Sequence, residues 1–151
     1  MDESRLAERL VKDEGKTNYT YYCTQNHLTG GIGHKILENE PEYKEPVGSP
    51  VSKERVNEWF QHDMRSVQRN CERLYPARWP SFDEDLKQII ANMMFQMGLG
   101  TMKKFVQMKK KVIAKDYRGA AVEMADSRWN RQTPNRAARL INEMKNLASD
   151  S

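Results

Sequence analysis

The chain is poor in cysteine, in long apolar runs and in repeats, and each absence removes a class of protein. Two cysteines among 151 residues, Cys23 and Cys71, cannot build a disulfide scaffold, and neither belongs to a CxxC pair of the kind that grips zinc. No stretch approaches the ~18 consecutive apolar residues of a membrane-spanning helix, and mean hydropathy is −0.89, so no transmembrane segment is expected. The opening residues, Met1-Asp2-Glu3-Ser4-Arg5, lack the apolar core of a secretory signal, which predicts synthesis in a cytoplasm. No internal repeat and no low-complexity tract interrupts the chain. What remains is enough for a folded domain: 38% of residues are hydrophobic, and a globule of this length buries roughly 68–70% of its unfolded surface.

Charge is unevenly spread. Residues 1–101 carry 13 Lys+Arg against 16 Asp+Glu, whereas residues 102–151 carry 12 against 5. The C-terminal third is therefore net +7 in a chain of net +4, an asymmetry that suits an anionic partner such as a nucleic acid or a bacterial envelope. Lys103-Lys104 and Lys109-Lys110-Lys111 lack the interleaved aromatics of a single-strand groove, and no helix-turn-helix or RNA-binding signature occurs. Nucleic acid is not the expected ligand.

Hydrophobic spacing predicts the elements. Leu6, Ala7, Leu10 and Val11 recur at helical period and stop before Gly15, giving a short first helix. Residues 18–34, rich in Tyr, Thr and Gly with Thr24-Gln25-Asn26 in their middle, read as a small β-hairpin or meander. Residues 38–50, with three prolines and four glutamates, read as an irregular surface loop. The stripe Val56, Trp59, Phe60, Met64, Val67, Cys71 and Leu74 predicts one long helix closed by Pro76. Asp83, Glu84 and Asp85 open a second, since acids suit a first turn, and its apolar positions run from Leu86 to Met97 ahead of Gly98 and Gly100. Further helices follow around 102–113 and 120–125, and a last one behind Thr133-Pro134 buries Ala137, Leu140, Ile141, Met144 and Leu147. The fold class is α+β and mainly helical: a small N-terminal α+β lobe (about 13–52), a linking helix (about 52–74), and a helical C-terminal lobe (about 75–151, with the first helix), all one domain over 1–151.

Glu14 breaks a local rule. A carboxylate in the last turn of a helix faces the negative end of the dipole, a placement that stability alone disfavours. The residues after it give the placement a context. Cys23 follows Glu14 after eight residues, and Thr29 follows Cys23 after five, running into Gly30-Gly31-Ile32-Gly33-His34. This pattern resembles the active-site signature of the phage-type lysozymes, the muramidase endolysins typified by the T-even phages. Asn92-Met93-Met94-Phe95-Gln96-Met97-Gly98 and Ser127-Arg128-Trp129-Asn130-Arg131-Gln132-Thr133-Pro134-Asn135-Arg136-Ala137 extend the resemblance in family order across residues 14–137.

The resemblance implies a lysozyme-like fold with its cleft between lobes, and a peptidoglycan hydrolase that cleaves the β-1,4 bond between N-acetylmuramic acid and N-acetylglucosamine without metal or organic cofactor. Glu14 matches the glutamate that protonates the leaving oxygen, and Thr29 the threonine that helps to hold the attacking water. Cys23 stands where aspartate is commonest. A thiol there can activate the water when ionised, orient it when neutral, or act as a nucleophile; the purely structural alternative is a small buried hydrophobe or half of a bridge with Cys71. Phe95 matches a cleft aromatic able to pack on a sugar, and Lys35 falls at an apolar cleft-lip position, so both are expected substrate contacts. Met108 and Glu123 fall where polar contacts are usual. Arg136 matches an arginine beside the catalytic glutamate, and His34 and Asp63 match a histidine and aspartate that form an ion pair. The resemblance further implies a monomer, made in a bacterial host's cytoplasm and acting on the wall, with no stable membrane association and dependent on a holin-like permeabilising partner. The rival reading is a catalytically inactive glycan-binding or virion structural module that retains the fold. A lytic transglycosylase, which also relies on one glutamate, is distinguished by its anhydro-sugar product.

Overall fold

The computed structural model describes residues 1–149 and follows the order α1 (Glu3–Glu14), β1 (Thr17–Tyr22), β2 (Leu28–Gly31), β3 (His34–Lys35), α2 (Lys53–Leu74), α3 (Glu84–Met102), α4 (Val106–Ile113), α5 (Tyr117–Ala125), α6 (Arg128–Gln132) and α7 (Pro134–Ser149). It is a mainly helical α+β fold, with seven helices and one three-stranded antiparallel sheet in the order β1-β2-β3 among the described residues. The chain divides into two compact units. One comprises Glu3–Ser66, and the other Met1–Asp2 with Val67–Ser151. No described helix is long and apolar enough to cross a membrane.

In the first unit α1 ends where the glycine signal places it, with Gly15 N–H donating to the Val11 carbonyl at 2.9 Å. Leu6 and Leu10 of α1 are fully buried, but Ala7 and Val11 stay half-exposed; they line a groove of about 920 Å³ shared with Val56 and Phe60. The 24–27 turn joins β1 to β2, and Ile32-Gly33 joins β2 to β3. The 38–50 segment is more ordered than its composition predicts. Pro41–Lys44 forms a 3-10 turn, and the residues behind it run along β1, where Thr20 N–H donates to the Ser49 carbonyl and Val51 N–H to that of Asn18. Proline removes donors but not acceptors, so this stretch serves as an edge. Ser52 caps α2, accepting from Arg55 N–H at 3.1 Å.

The second unit has its core on α3, where Leu86, Ile89, Ile90, Met93 and Met94 are at most 2% exposed. The expected stop at Gly98 is a break rather than an end: Gly98 adopts φ 78°, ψ 168°, and helix resumes to Met102. Only glycine takes that conformation without strain. Met102 thus belongs to α3 and not to the next helix. Asp116 and Ser127 cap α5 and α6 through Gly119 and Asn130 N–H groups, and α6, five residues long, has no period by which the sequence could announce it. Pro134 opens α7 as expected, although Leu147 is only partly buried.

Candidate active site

Glu14, Cys23, Thr29 and Lys35 all lie in the first unit, on the end of α1 and the face of the small sheet. Register explains the gathering. Tyr21 pairs with Thr29, and Thr29 with Lys35; directly paired residues project to the same face. Cys23 follows Tyr21 by two residues and closes the turn, its N–H donating to the His27 carbonyl at 2.9 Å while its own carbonyl accepts from Asn26 N–H at 2.8 Å. The Thr29 hydroxyl donates to the His27 carbonyl at 2.8 Å and is within hydrogen-bonding reach of the Cys23 thiol.

The thiol is partly exposed, and its surroundings favour the thiolate. Partial burial opposes ionisation, but the N–H groups of His27 and Gln25, the Thr29 hydroxyl and the Lys35 ammonium outweigh it and hold the Cys23 pKa below its ordinary value. Such a setting marks a reactive cysteine. Cys71 is the opposite case: fully buried in α2, its thiol is pushed up to about 12, chiefly by burial. Tyr21 links Glu14 and Cys23. Its phenol pKa is raised by burial and by the nearby charges of both residues, so it stands within electrostatic range of each. Sequence reasoning missed Tyr21, though the alternation Tyr19, Tyr21, Cys23 along β1 and into the turn behind it was a usable signal.

Gly33 makes room for Glu14. A Cβ on Gly33 would lie 2.8 Å from Glu14 Cβ and 3.1 Å from its Cδ, and Gly33 has φ +58°. Both space and conformation require glycine. Gly33→Ala is expected to cost about 1–3 kcal/mol and to displace the Glu14 carboxylate. Thermal unfolding checks it, and a variant as stable as wild type would contradict this packing.

Beneath the β2–β3 turn lies an ionic platform. His34, 6% exposed, stacks on Trp59 with ring centroids 4.6 Å apart. Its Nδ1 lies 2.7 Å from Asp63 Oδ2, as the family match implies, and its Nε2 lies 2.9 Å from Glu40 Oε1. Two carboxylates on two ring nitrogens call for both nitrogens to donate, which is the imidazolium form. Glu40 also accepts from Trp59 Nε1 at 2.7 Å and from Arg55 at 3.2 Å. Arg55 reaches Glu42 at 2.8 Å. Glu40 lies in a segment that reads as an irregular loop and Arg55 in the first turn of α2, so no local pattern pairs the two.

The platform titrates. Burial lowers the His34 pKa, but bonding and charge from Asp63 and Glu40 prevail and raise it; burial raises that of Glu40, but Leu37 N–H and His34 prevail and lower it. The histidine contribution is complete below its ordinary 6.5 and is lost as pH rises through the raised value. The glutamate contribution is complete above its ordinary 4.5 and is lost as pH falls through the lowered value. His34→Asn should therefore destabilise most at about pH 5.5, by roughly 1–3 kcal/mol more than at about pH 9. Chemical denaturation at the two pH values measures this, and equal losses would refute it.

The downstream segments meet in the second unit. Trp129 Nε1 donates to Gln96 Oε1 at 2.9 Å, Gln96 Nε2 reaches Thr133 Oγ1 at 3.4 Å, and Arg136 Nε donates to Asn92 Oδ1 at 2.9 Å. Phe95 is half-exposed on α3 in this unit. Met108 is 1% exposed and packs in the core of α4, which accounts for an apolar residue at that position. Among the described residues no group of three or more His, Cys, Asp or Glu side chains could hold a metal ion.

The Phage lysozyme family model matches residues 11–145. Probable T4-type lysozyme 2 of Dictyostelium discoideum is 31% identical over 156 residues, covering 91% of this chain and 92% of that protein. Probable T4-type lysozyme 1 of the same organism is 30% identical over 91% of this chain and 92% of its own length. The pre-baseplate central spike protein Gp5 of Enterobacteria phage T4 is 29% identical over 89% of this chain, which spans only 26% of that longer protein. With the family pattern running from the end of α1 to the interior of α7, the chain belongs to the phage lysozyme family.

Proposed function

We propose that this protein is an active lysozyme that hydrolyses the β-1,4 bond between N-acetylmuramic acid and N-acetylglucosamine in bacterial wall glycan, working as one lysozyme-like domain. Glu14 acts as general acid on the leaving oxygen. Thr29 holds the attacking water, its hydroxyl oxygen accepting from the water while its own proton goes to the His27 carbonyl. Cys23 activates or orients that water in place of the carboxylate an inverting glycosidase ordinarily uses. Lys35 and Phe95 contact the glycan. The observation that carries this reading is the gathering of Thr29, Lys35 and Cys23 on the unit whose Gly33 packs against Glu14: Thr29 pairs with Lys35 across the sheet, and its hydroxyl is within hydrogen-bonding reach of the Cys23 thiol. The protein is proposed to act on the wall as a monomer after synthesis in a bacterial cytoplasm, with a separate holin-like partner opening the membrane.

A second reading rests on the spike-protein relative: a virion module that binds glycan without cutting it. Clearing of a purified wall suspension, with the products analysed by mass, decides between them. Hydrolysis gives reducing muramic acid ends and supports the lysozyme reading. Anhydro-muramic ends would identify a lytic transglycosylase, and binding without products would identify the structural module.

A further inference from the structure

Outside this site, the sharpest charge imbalance lies on α4 and the turns that flank it. Residues 103–115 hold six lysines and no acid. One is neutralised: Lys111 Nζ lies 3.5 Å from Asp116 Oδ2. Among the described residues no ion pair involves Lys103, Lys104, Lys109, Lys110 or Lys115. Met108 and Val112, each 1% exposed, fix which side of α4 faces inward against α5. The opposite side therefore presents Val106 and, one turn on, Lys110. Val106 is 51% exposed, an apolar side chain in the middle of unneutralised cations. Lys103 and Lys104, both exposed, precede it by three and two residues.

We propose that this basic, valine-centred face of α4 docks reversibly onto an anionic phospholipid bilayer. Each lysine held near such a surface adds favourable attraction, and the attraction fades within a Debye length. Because five of the six ammonium groups pair with no carboxylate among the described residues, binding through those five breaks no ion pair there. Val106 supplies the second element, an apolar group that enters the headgroup layer while the lysines stay at the phosphates. A nucleic acid fits less well. The face carries lysine but no arginine for bidentate phosphate contacts, and its one aromatic, Phe105, is engaged edge-to-face with Trp129 at a centroid separation of 6.5 Å.

The test is sedimentation of the full chain with vesicles of phosphatidylglycerol or of phosphatidylcholine, which requires no enzymatic activity. Wild type should sediment with phosphatidylglycerol vesicles at about 0.01 M ionic strength and be released at about 1 M, and should not sediment with phosphatidylcholine. Lys103→Gln/Lys104→Gln/Lys110→Gln should lower partitioning about a hundredfold. Val106→Ser should lower it severalfold without altering the salt dependence. A charge-matched control, Lys12→Gln/Lys44→Gln/Lys145→Gln, should stay within about threefold of wild type, its charges lying elsewhere. Thermal unfolding confirms that each variant is folded. Equal losses in the two triple variants would reduce the effect to net charge and overturn the proposal. So would failure of wild type to bind, or binding of duplex DNA that the α4 triple abolishes while vesicle partitioning is unchanged.

Discussion

Replacing Glu14 with glutamine is expected to lower glycan hydrolysis by about 10²- to 10⁴-fold while leaving the fold intact. General acid catalysis contributes a factor of that size, and an amide of the same shape has no proton to deliver. Shape is conserved where it counts, because Gly33 packs against the Cβ, Cγ and Cδ of Glu14 and glutamine keeps all three atoms. Loss of activity with unchanged unfolding temperature would thus report chemistry and not packing. The discriminating measurement is the rate of wall clearing at saturating substrate, paired with calorimetry. If Glu14→Gln retained more than about a tenth of the wild-type rate, Glu14 would not be the acid, given the size of that contribution.

The ease with which Glu14 could be picked out, against the obscurity of its supports, follows from how far each signal reaches along the chain. Glu14, Cys23 and Thr29 lie within 16 residues, and their spacing is a local pattern. Helix ends marked by Gly15 and Pro134 were equally local, since one residue's backbone preference sets each. What could not be read depends on contacts between distant segments. The 48–51 strip is held to β1 by bonds such as Val51 N–H to the Asn18 carbonyl, which no alternation of apolar residues encodes. Glu40 joins His34, Trp59 and Arg55 only once α2 has packed beneath the sheet. Tyr21 occupies an intermediate position: its face follows from period-2 alternation, but its proximity to Glu14 needs the end of α1 brought to the sheet. Gly98 is visible in the sequence as a helix breaker, but a glycine that ends a helix and one that only interrupts it look alike there; Gly98 takes φ 78°, ψ 168° and helix resumes to Met102.

Cys23 is the position at which a substitution tells most about mechanism. Cys23→Ala is expected to slow hydrolysis more than tenfold, a loss of at least about 1.4 kcal/mol in transition-state stabilisation, because alanine neither accepts a proton nor bonds the water proposed to sit between Cys23 and Thr29. Cys23→Asp should keep substantial activity, a carboxylate being able to accept that proton, and the N–H groups of His27 and Gln25 that favour the thiolate would favour a carboxylate equally. Iodoacetamide should inactivate wild type, and Cys71 offers no competing target: it is fully buried, with its thiol pushed up to about 12. The pH profile separates the roles of the thiol. A thiolate base gives a rate that climbs as pH rises through the lowered Cys23 pKa, and Lys35→Gln should move that limb to higher pH by removing a cation that helps to hold it down. An orienting thiol gives no such limb, and Lys35→Gln then leaves the profile in place. A structural cysteine would behave differently from both, surviving truncation to alanine kinetically and tolerating aspartate poorly. An active Cys23→Ala enzyme beside an unfolded Cys23→Asp variant would remove Cys23 from the mechanism and leave Glu14 and Thr29 as the only residues assigned to it.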